Sequence, residues 1–238
     1  MTGGRLTGVG VGPGDPELVT VKAVRVLREA DVVFVPVSAS GEPGYAEGVV
    51  RAHASRPIER LTFALGDDLV RGAGGKPPGA GREASWEAAG RAVAAAVAGG
   101  AWAAFATIGD PNLYSTFTYL ARRLPPEVTV DTVPGITAFQ DLAARSGTVL
   151  AEGAQTLALL PFTAGPERLG AALDTFDTVV TYKGGRCLPG LRELLAKAGR
   201  LDQAVFGARL GLDGEQVGPL PDGPAPYLST VIVARGHR

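Results

Sequence analysis

Within the run Thr107-Ile108-Gly109-Asp110-Pro111-Asn112-Leu113-Tyr114, residue types suited to binding a flat, polar small molecule stand together. An apolar, strand-like stretch delivers a Gly-Asp-Pro turn to its carboxyl end, directly before a helical pattern, and ligands of open α/β sheets bind at that edge. Gly109 lets the backbone approach a flat ligand, and the Asp110 carboxylate can accept hydrogen bonds from hydroxyl or amino groups. Spacing alone equally allows Asp110 to cap the helix expected over residues 113–124. A second junction of the same kind, Val133-Pro134-Gly135-Ile136-Thr137-Ala138, places small residues and one hydroxyl at a helix start. One such junction in each half of the chain points to a shared cleft for one extended ligand.

The third glycine-rich run, Gly8-Val9-Gly10-Val11-Gly12-Pro13-Gly14-Asp15, sits where dinucleotide-binding loops sit but fails their Gly-x-Gly-x-x-Gly spacing. The third position is Pro13 counted from Gly8 and Asp15 counted from Gly10, so a pyrophosphate would meet a carboxylate and lose backbone donors. A tight turn open to another backbone or to a flat ligand is the better reading. Gly74-Gly75-Lys76 is followed by Pro77 where a phosphate loop needs Ser or Thr, and no Gly-x-Ser-x-Gly elbow occurs. A lone His53 reads as an ordinary surface or core residue. The types present therefore indicate binding and positioning, and they leave the catalytic residues unassigned.

Other classes fall away on composition. Lys plus Arg is 23 against 24 for Asp plus Glu, so the field that drives sequence-independent nucleic-acid binding is missing. The single cysteine, Cys187, excludes an intramolecular disulfide, and two histidines with one cysteine offer no ligand set for structural zinc, so no metal is expected. The longest apolar runs, such as Val32–Val37, are far shorter than the roughly 20 residues of a membrane span. The opening Met-Thr-Gly-Gly-Arg lacks a charged segment followed by an apolar stretch, and the expected location is the cytoplasm.

The elements that must position these turns alternate along the whole chain, the pattern of an α/β protein with largely parallel sheets. Leu6–Val11, a helix over Val21–Ala30 with Val21, Val24 and Leu27 on one face, and Val32–Val37 form a βαβ unit. The Gly- and Pro-rich residues 66–83 read as an exposed loop, Ser85 as the N-cap of the alanine-rich helix that follows, and Ala101–Thr107 as the next strand. Pro125-Pro126 stops the helix over residues 113–124. Strand Val128–Val133 then opens a second series, with a helical segment Ile136–Ser146, strands Thr156–Leu160, Thr178–Tyr182 and Ala204–Ala208, helices over 166–174 and 190–198, a hairpin signal at Leu212–Glu215, and a last strand over Tyr227–Ala234. The expected division is an N-terminal α/β domain over residues 1–126 and a C-terminal one over 127–238, with the ligand cleft between them.

Taken in order, Val9–Thr20, Thr107–Tyr114, Val133–Ala138, Asp177–Lys183 and Tyr227–Val233 resemble the tetrapyrrole (corrin/porphyrin) methylase family over essentially the whole chain. The continuation Gly109-Asp110-Pro111-Asn112-Leu113-Tyr114-Ser115-Thr116 is similar to the branch that methylates C-20 of precorrin-2. The resemblance implies two α/β domains, a homodimer, a tetrapyrrole substrate, and S-adenosyl-L-methionine as the methyl donor, held in the cleft. It places Pro13, Ile108, Gly109, Asp110, Leu113, Thr137 and Ala138 at the cofactor, with Tyr182, Lys183, Ala208, Ser229 and Thr230 at later cofactor-lining positions. Gly44–Gly48 and the Gly-rich segment depart from the branch's pattern.

Methyl transfer from a sulfonium is an in-line displacement, for which positioning supplies most of the rate. Asp15 is the first candidate for a substrate-facing polar group and Tyr114 the second, although Asp15 can equally be a turn residue bonding its own backbone. Lys22, Arg122, Arg123, Lys183 and Arg186 are available for the substrate's acidic side chains. Two other readings stay open here: a tetrapyrrole methylase acting on the cobalt-loaded substrate or at another carbon, and a non-catalytic ligand-binding module on the same fold.

Overall fold

The computed structural model describes residues 3–38, 42–63, 80–182, 185–226 and 228–235. The chain divides into two compact units, Met1–Thr137 and Ala138–Arg238.

In the first unit, β1 (Arg5–Gly10), β2 (Val32–Val37), β3 (Ile58–Thr62), β4 (Trp102–Thr107) and β5 (Thr129–Val133) form one sheet in the order β3-β2-β4-β1-β5. All its pairings are parallel, so the carboxyl ends of β4, β1 and β5 lie side by side, with Gly10 opposite Thr107 and Val9 opposite Val133. The expected division after Pro126 is corrected by this pairing: β5 completes the first sheet, and the unit runs on to Thr137. Helices cover both faces. α1 (Val21–Glu29) is capped by Thr20, whose hydroxyl accepts from the Ala23 N–H at 3.2 Å. Its buried side is Ala23, Val26 and Leu27, whereas Val21, expected on that face, is exposed. α1 and α2 (Tyr45–His53) pack with Val9, Val11, Val33 and Val35.

On the opposite face, α3 (Ala80–Ala96) buries Trp86, Ala89 and Val93 at helical spacing against Phe34, Phe63 and Phe105. Residues 66–79 of the expected Gly-rich loop lie outside the described residues, and Ala80–Glu83 are already helical. Ser85 is consequently inside α3, where its hydroxyl donates to the Arg82 carbonyl at 2.7 Å instead of capping the helix. The helix expected over 113–124 is the short α4, Phe117–Ala121, because Asp110–Ser115 is consumed by turns.

The second unit opens with α5 (Ala138–Ser146) and holds β6 (Leu157–Pro161), α6 (Pro166–Thr175), β7 (Thr178–Tyr182), α7 (Leu188–Lys197), β8 (Ala204–Ala208), β9 (Gln216–Pro219) and β10 (Ser229–Ala234). Its sheet runs β6-β7-β10-β8-β9. Only β6 and β7 pair in parallel there, and β10 runs antiparallel to both β7 and β8, so the expectation of largely parallel sheets holds for the first unit alone. Ala172 and Leu173 of α6 and Leu188, Leu191 and Leu195 of α7 pack on Val179, Phe206, Val231 and Val233. Among the described residues no helix is long and apolar enough to cross a membrane.

Candidate functional site

The carboxyl end of the first sheet is assembled from three glycines. A Cβ added to Gly10 would lie 2.5 Å from the Gly135 nitrogen and 2.6 Å from the Gly109 carbonyl oxygen, and one added to Gly135 would lie 2.1 Å from that same oxygen. The strand ends therefore meet backbone to backbone, a contact that residues with side chains cannot make. Gly109 is of another kind. Its φ of +71° is in the left-handed region, yet a Cβ there would meet nothing within 4 Å. That open space beside a bare backbone at a strand's carboxyl end is the cradle that a flat ligand needs.

The turn after β1 is held to the one after β4 by the Gly109 N–H, which donates to the Gly12 carbonyl at 2.8 Å. Pro13 is buried next to this bridge. Asp110 Oδ1 accepts from the Asn112 N–H at 2.8 Å, and Oδ2 accepts from the Gly135 N–H at 3.1 Å. The first bond is the local turn that the spacing allowed, and the second crosses to the loop after β5. Asn112 Nδ2 donates to Thr132 Oγ1 at 3.2 Å.

Ser115 and Thr107 were not among the expected site residues. Both are buried, their hydroxyls are 3.0 Å apart, and Ser115 Oγ accepts from the Phe117 N–H at 3.1 Å. The Ser-Thr part of the Tyr-Ser-Thr run thus ties the loop to the end of β4 and starts α4. Gly8 makes room for Phe117, whose Cζ would lie 2.6 Å from an added Cβ. Between these anchors Tyr114 adopts φ +51°, uncommon for a residue with a side chain and found where surroundings over-determine the backbone. Partial burial pushes its phenol up from the usual tyrosine range.

Asp15 does what the turn reading allowed: Oδ1 accepts from the Glu17 N–H at 2.8 Å and caps the single turn Pro16–Leu18. His53 Nε2 stands 2.7 Å from the Pro16 carbonyl, a structural contact on the same turn. One sheet end in the first unit thus brings together Pro13, Asp15, Ile108, Gly109, Asp110, Leu113 and Tyr114, with buried Thr137 at the end of the loop that follows β5.

In the second unit, cross-strand register gathers the other set. Thr230 pairs with Tyr182, and Ser229 pairs with Ala208. Ser229, Thr230 and Ala208 are buried, and the Ser229 hydroxyl donates to the Pro226 carbonyl. The Tyr182 ring meets Phe139, the neighbour of Ala138, edge to face at 6.1 Å. Ala208 is followed by Arg209, whose φ of +52° turns the chain out of β8. Lys183 and the Arg186 side chain lie outside the described residues. Of the other cations considered, Arg123 lies over the Trp86 ring at 4.9 Å and 3.8 Å from Glu83. Among the described residues no group of three or more His, Cys, Asp or Glu is placed to hold a metal ion.

Comparison with known proteins supplies the context for this geometry. Residues 5–221 match the family model described as Tetrapyrrole (Corrin/Porphyrin) Methylases. A protein of Sinorhizobium sp. named precorrin-2 C(20)-methyltransferase is 37% identical over 97% of this chain and 95% of its own length. A Salmonella typhimurium protein named cobalt-precorrin-2 C(20)-methyltransferase is 32% identical over 97% of this chain and 96% of its own. Among solved structures, a uroporphyrin-III C-methyl transferase from Thermus thermophilus complexed with S-adenyl homocysteine aligns at TM-score 0.62 and 23% identity over 97% of both chains, a likeness of fold.

Proposed function

Because the chain belongs to the tetrapyrrole (corrin/porphyrin) methylase family, we propose that it transfers a methyl group from S-adenosyl-L-methionine to C-20 of precorrin-2, giving precorrin-3A in cobalamin biosynthesis. The observation that carries this reading is the 37% identity, over nearly the whole of both chains, to a protein named for that reaction.

S-adenosylmethionine supplies an activated methyl group, and the bare backbone at Gly109 suits it, since the Cβ position there opens into space. Pro13, Ile108, Gly109, Asp110, Leu113 and Thr137 of the first unit would hold it, with Ala138, Tyr182, Lys183, Ala208, Ser229 and Thr230 of the second. C-20 of a reduced tetrapyrrole is enamine-like and needs no strong base to attack, only alignment and a later proton loss. The glycine cradle, anchored by Gly12, Asp110 and Ser115, contributes that alignment through rigid backbone. Tyr114, a neutral phenol at neutral pH, would donate a hydrogen bond toward the substrate, and Asp15 on the neighbouring turn would face it with the carboxylate oxygen that does not cap Pro16–Leu18. The enzyme works as a homodimer in the cytoplasm.

The cobalt-loaded substrate is the second reading, favoured by the 32% identity to the Salmonella protein. Anaerobic incubation with labelled S-adenosylmethionine and either precorrin-2 or its cobalt form, followed by mass spectrometry, decides between them. One methyl added to the metal-free substrate supports the first reading, and transfer only to the cobalt form supports the second. Cofactor binding without transfer to either makes the chain a binding module.

A further inference from the structure

We infer that Asp110 is a positioning residue that ties the ends of β4 and β5 together across the end of β1. This rests on the reading that the same sheet end holds S-adenosylmethionine, and it assigns Asp110 a role other than accepting hydrogen bonds from that molecule.

The sheet order explains why a tie is needed. β4 and β5 are not neighbours, because β1 lies between them. β1 pairs with β5 only as far as Val9 and Val133, so the Gly135 N–H, two residues farther on, lies beyond the ladder. A backbone N–H at a crowded strand end must find an acceptor, and the Asp110 carboxylate supplies one at 3.1 Å. Its other oxygen receives the Asn112 N–H, so each oxygen is already engaged by the protein's own backbone. Asn112 repeats the crossing one step away by donating to Thr132 Oγ1. The tie passes over Gly10 and has room only because that residue has no side chain, as the 2.5 Å approach of its Cβ position to the Gly135 nitrogen shows. The carboxylate therefore sets where the Gly109 and Gly135 backbones stand, and the ligand meets those backbones.

The first test needs no ligand. Amide hydrogen exchange at Gly135 should be slow in the wild type and faster by at least tenfold in Asp110→Ala, since a bonded amide exchanges only when it opens. Fast exchange at Gly135 in the wild type overturns the tie. The second test compares S-adenosylhomocysteine with analogues lacking a ribose hydroxyl or the α-amino group, by titration calorimetry on the wild type and Asp110→Asn. A positioning role lowers affinity for every analogue by one common factor, roughly tenfold or more for a charge-assisted bond. If one analogue binds variant and wild type equally well, Asp110 touches the missing group directly and the inference fails. Asn112→Ala, at an exposed residue, should give a smaller loss in the same direction, and an unchanged affinity in both variants also overturns the idea. A wild type that shows slow Gly135 exchange but does not bind S-adenosylhomocysteine sinks the cofactor reading and leaves the tie standing.

Discussion

The two sheet ends that gather the expected cofactor residues are built from different materials. In the first unit the surface is backbone: Gly10, Gly109 and Gly135 meet one another without side chains, and Asp110 spends both oxygens on main-chain N–H groups. In the second it is side chains: Tyr182, Thr230, Ser229 and Ala208 are arranged by strand register, and the nearby Gly207 serves the core, since its Cβ position falls 2.7 Å from Leu142. A backbone surface has one shape, and at Gly10 and Gly135 it leaves no room for a Cβ. A side-chain surface can lose a hydroxyl and keep its form, so the two ends should respond differently to substitution.

The largest contrast is expected within the glycine end itself. Gly109→Val should fold, with about 1–2 kcal/mol of strain from its left-handed backbone, and should lose S-adenosylhomocysteine affinity by more than a hundredfold, because the new side chain enters the open space. Gly135→Ala should instead lower the melting temperature, losing at least about 3 kcal/mol, as its Cβ would press on the Gly109 carbonyl. Circular dichroism melts followed by calorimetry separate the two, and a Gly109 variant with native affinity would break the comparison. At the side-chain end, Thr230→Val keeps the shape but loses a buried hydroxyl. Affinity should fall about tenfold while the melting temperature moves little, in line with one hydrogen bond.

Smaller effects on cofactor affinity sharpen the boundary of the site. Asp15→Ala removes the cap on Pro16–Leu18, at a cost of about 1 kcal/mol, and should slow methyl transfer while leaving S-adenosylhomocysteine affinity at the wild-type value. Loss of cofactor binding there would mean that the turns after β1 and β4 serve one ligand. Glu47→Gln should leave affinity untouched and change only the response to acid. The Arg60 guanidinium, and after it Arg51, hold the buried Glu47 carboxyl below its ordinary 4.5, against the opposing effect of burial. A depressed carboxylate pKa contributes stability above pH 4.5 that is lost as pH falls through the folded value. Between pH 7 and 3 the wild-type melting temperature should therefore fall more steeply than that of the variant.

What could be read from the sequence follows the same division. The glycine turns after β1, β4 and β5 announce themselves locally, since Gly, Pro and Asp punctuate apolar runs. The gathering of Tyr182, Ala208, Ser229 and Thr230 depends on β10 lying between β7 and β8, a long-range pairing with no local signature, so family resemblance alone pointed to those residues. β5 was assigned to the wrong half for the same reason, its partner β1 being at the other end of the first unit. α2 and β3 went unseen because charge interrupts their patterns: Glu47 stands at a buried helical position, and Glu59 and Arg60 occupy the middle of the edge strand. Asp110 was legible as a turn residue, but its reach to Gly135 was not, because it spans a strand lying between.

The place of β1 also bears on the order in which a ribosome can deliver this site. β1 is made before the other strands of its sheet, yet Arg5 must wait for Trp102 on one side and Thr129 on the other, and the contacts among Gly10, Gly109 and Gly135 wait longer still. At about 5–20 residues per second, roughly 6–25 s of synthesis separate the emergence of Gly10 from that of Gly135. Until Trp102–Thr107 has emerged the apolar strand Leu6–Val9 has neither neighbour, and until β5 arrives it keeps one open edge, a segment for a chaperone to shield.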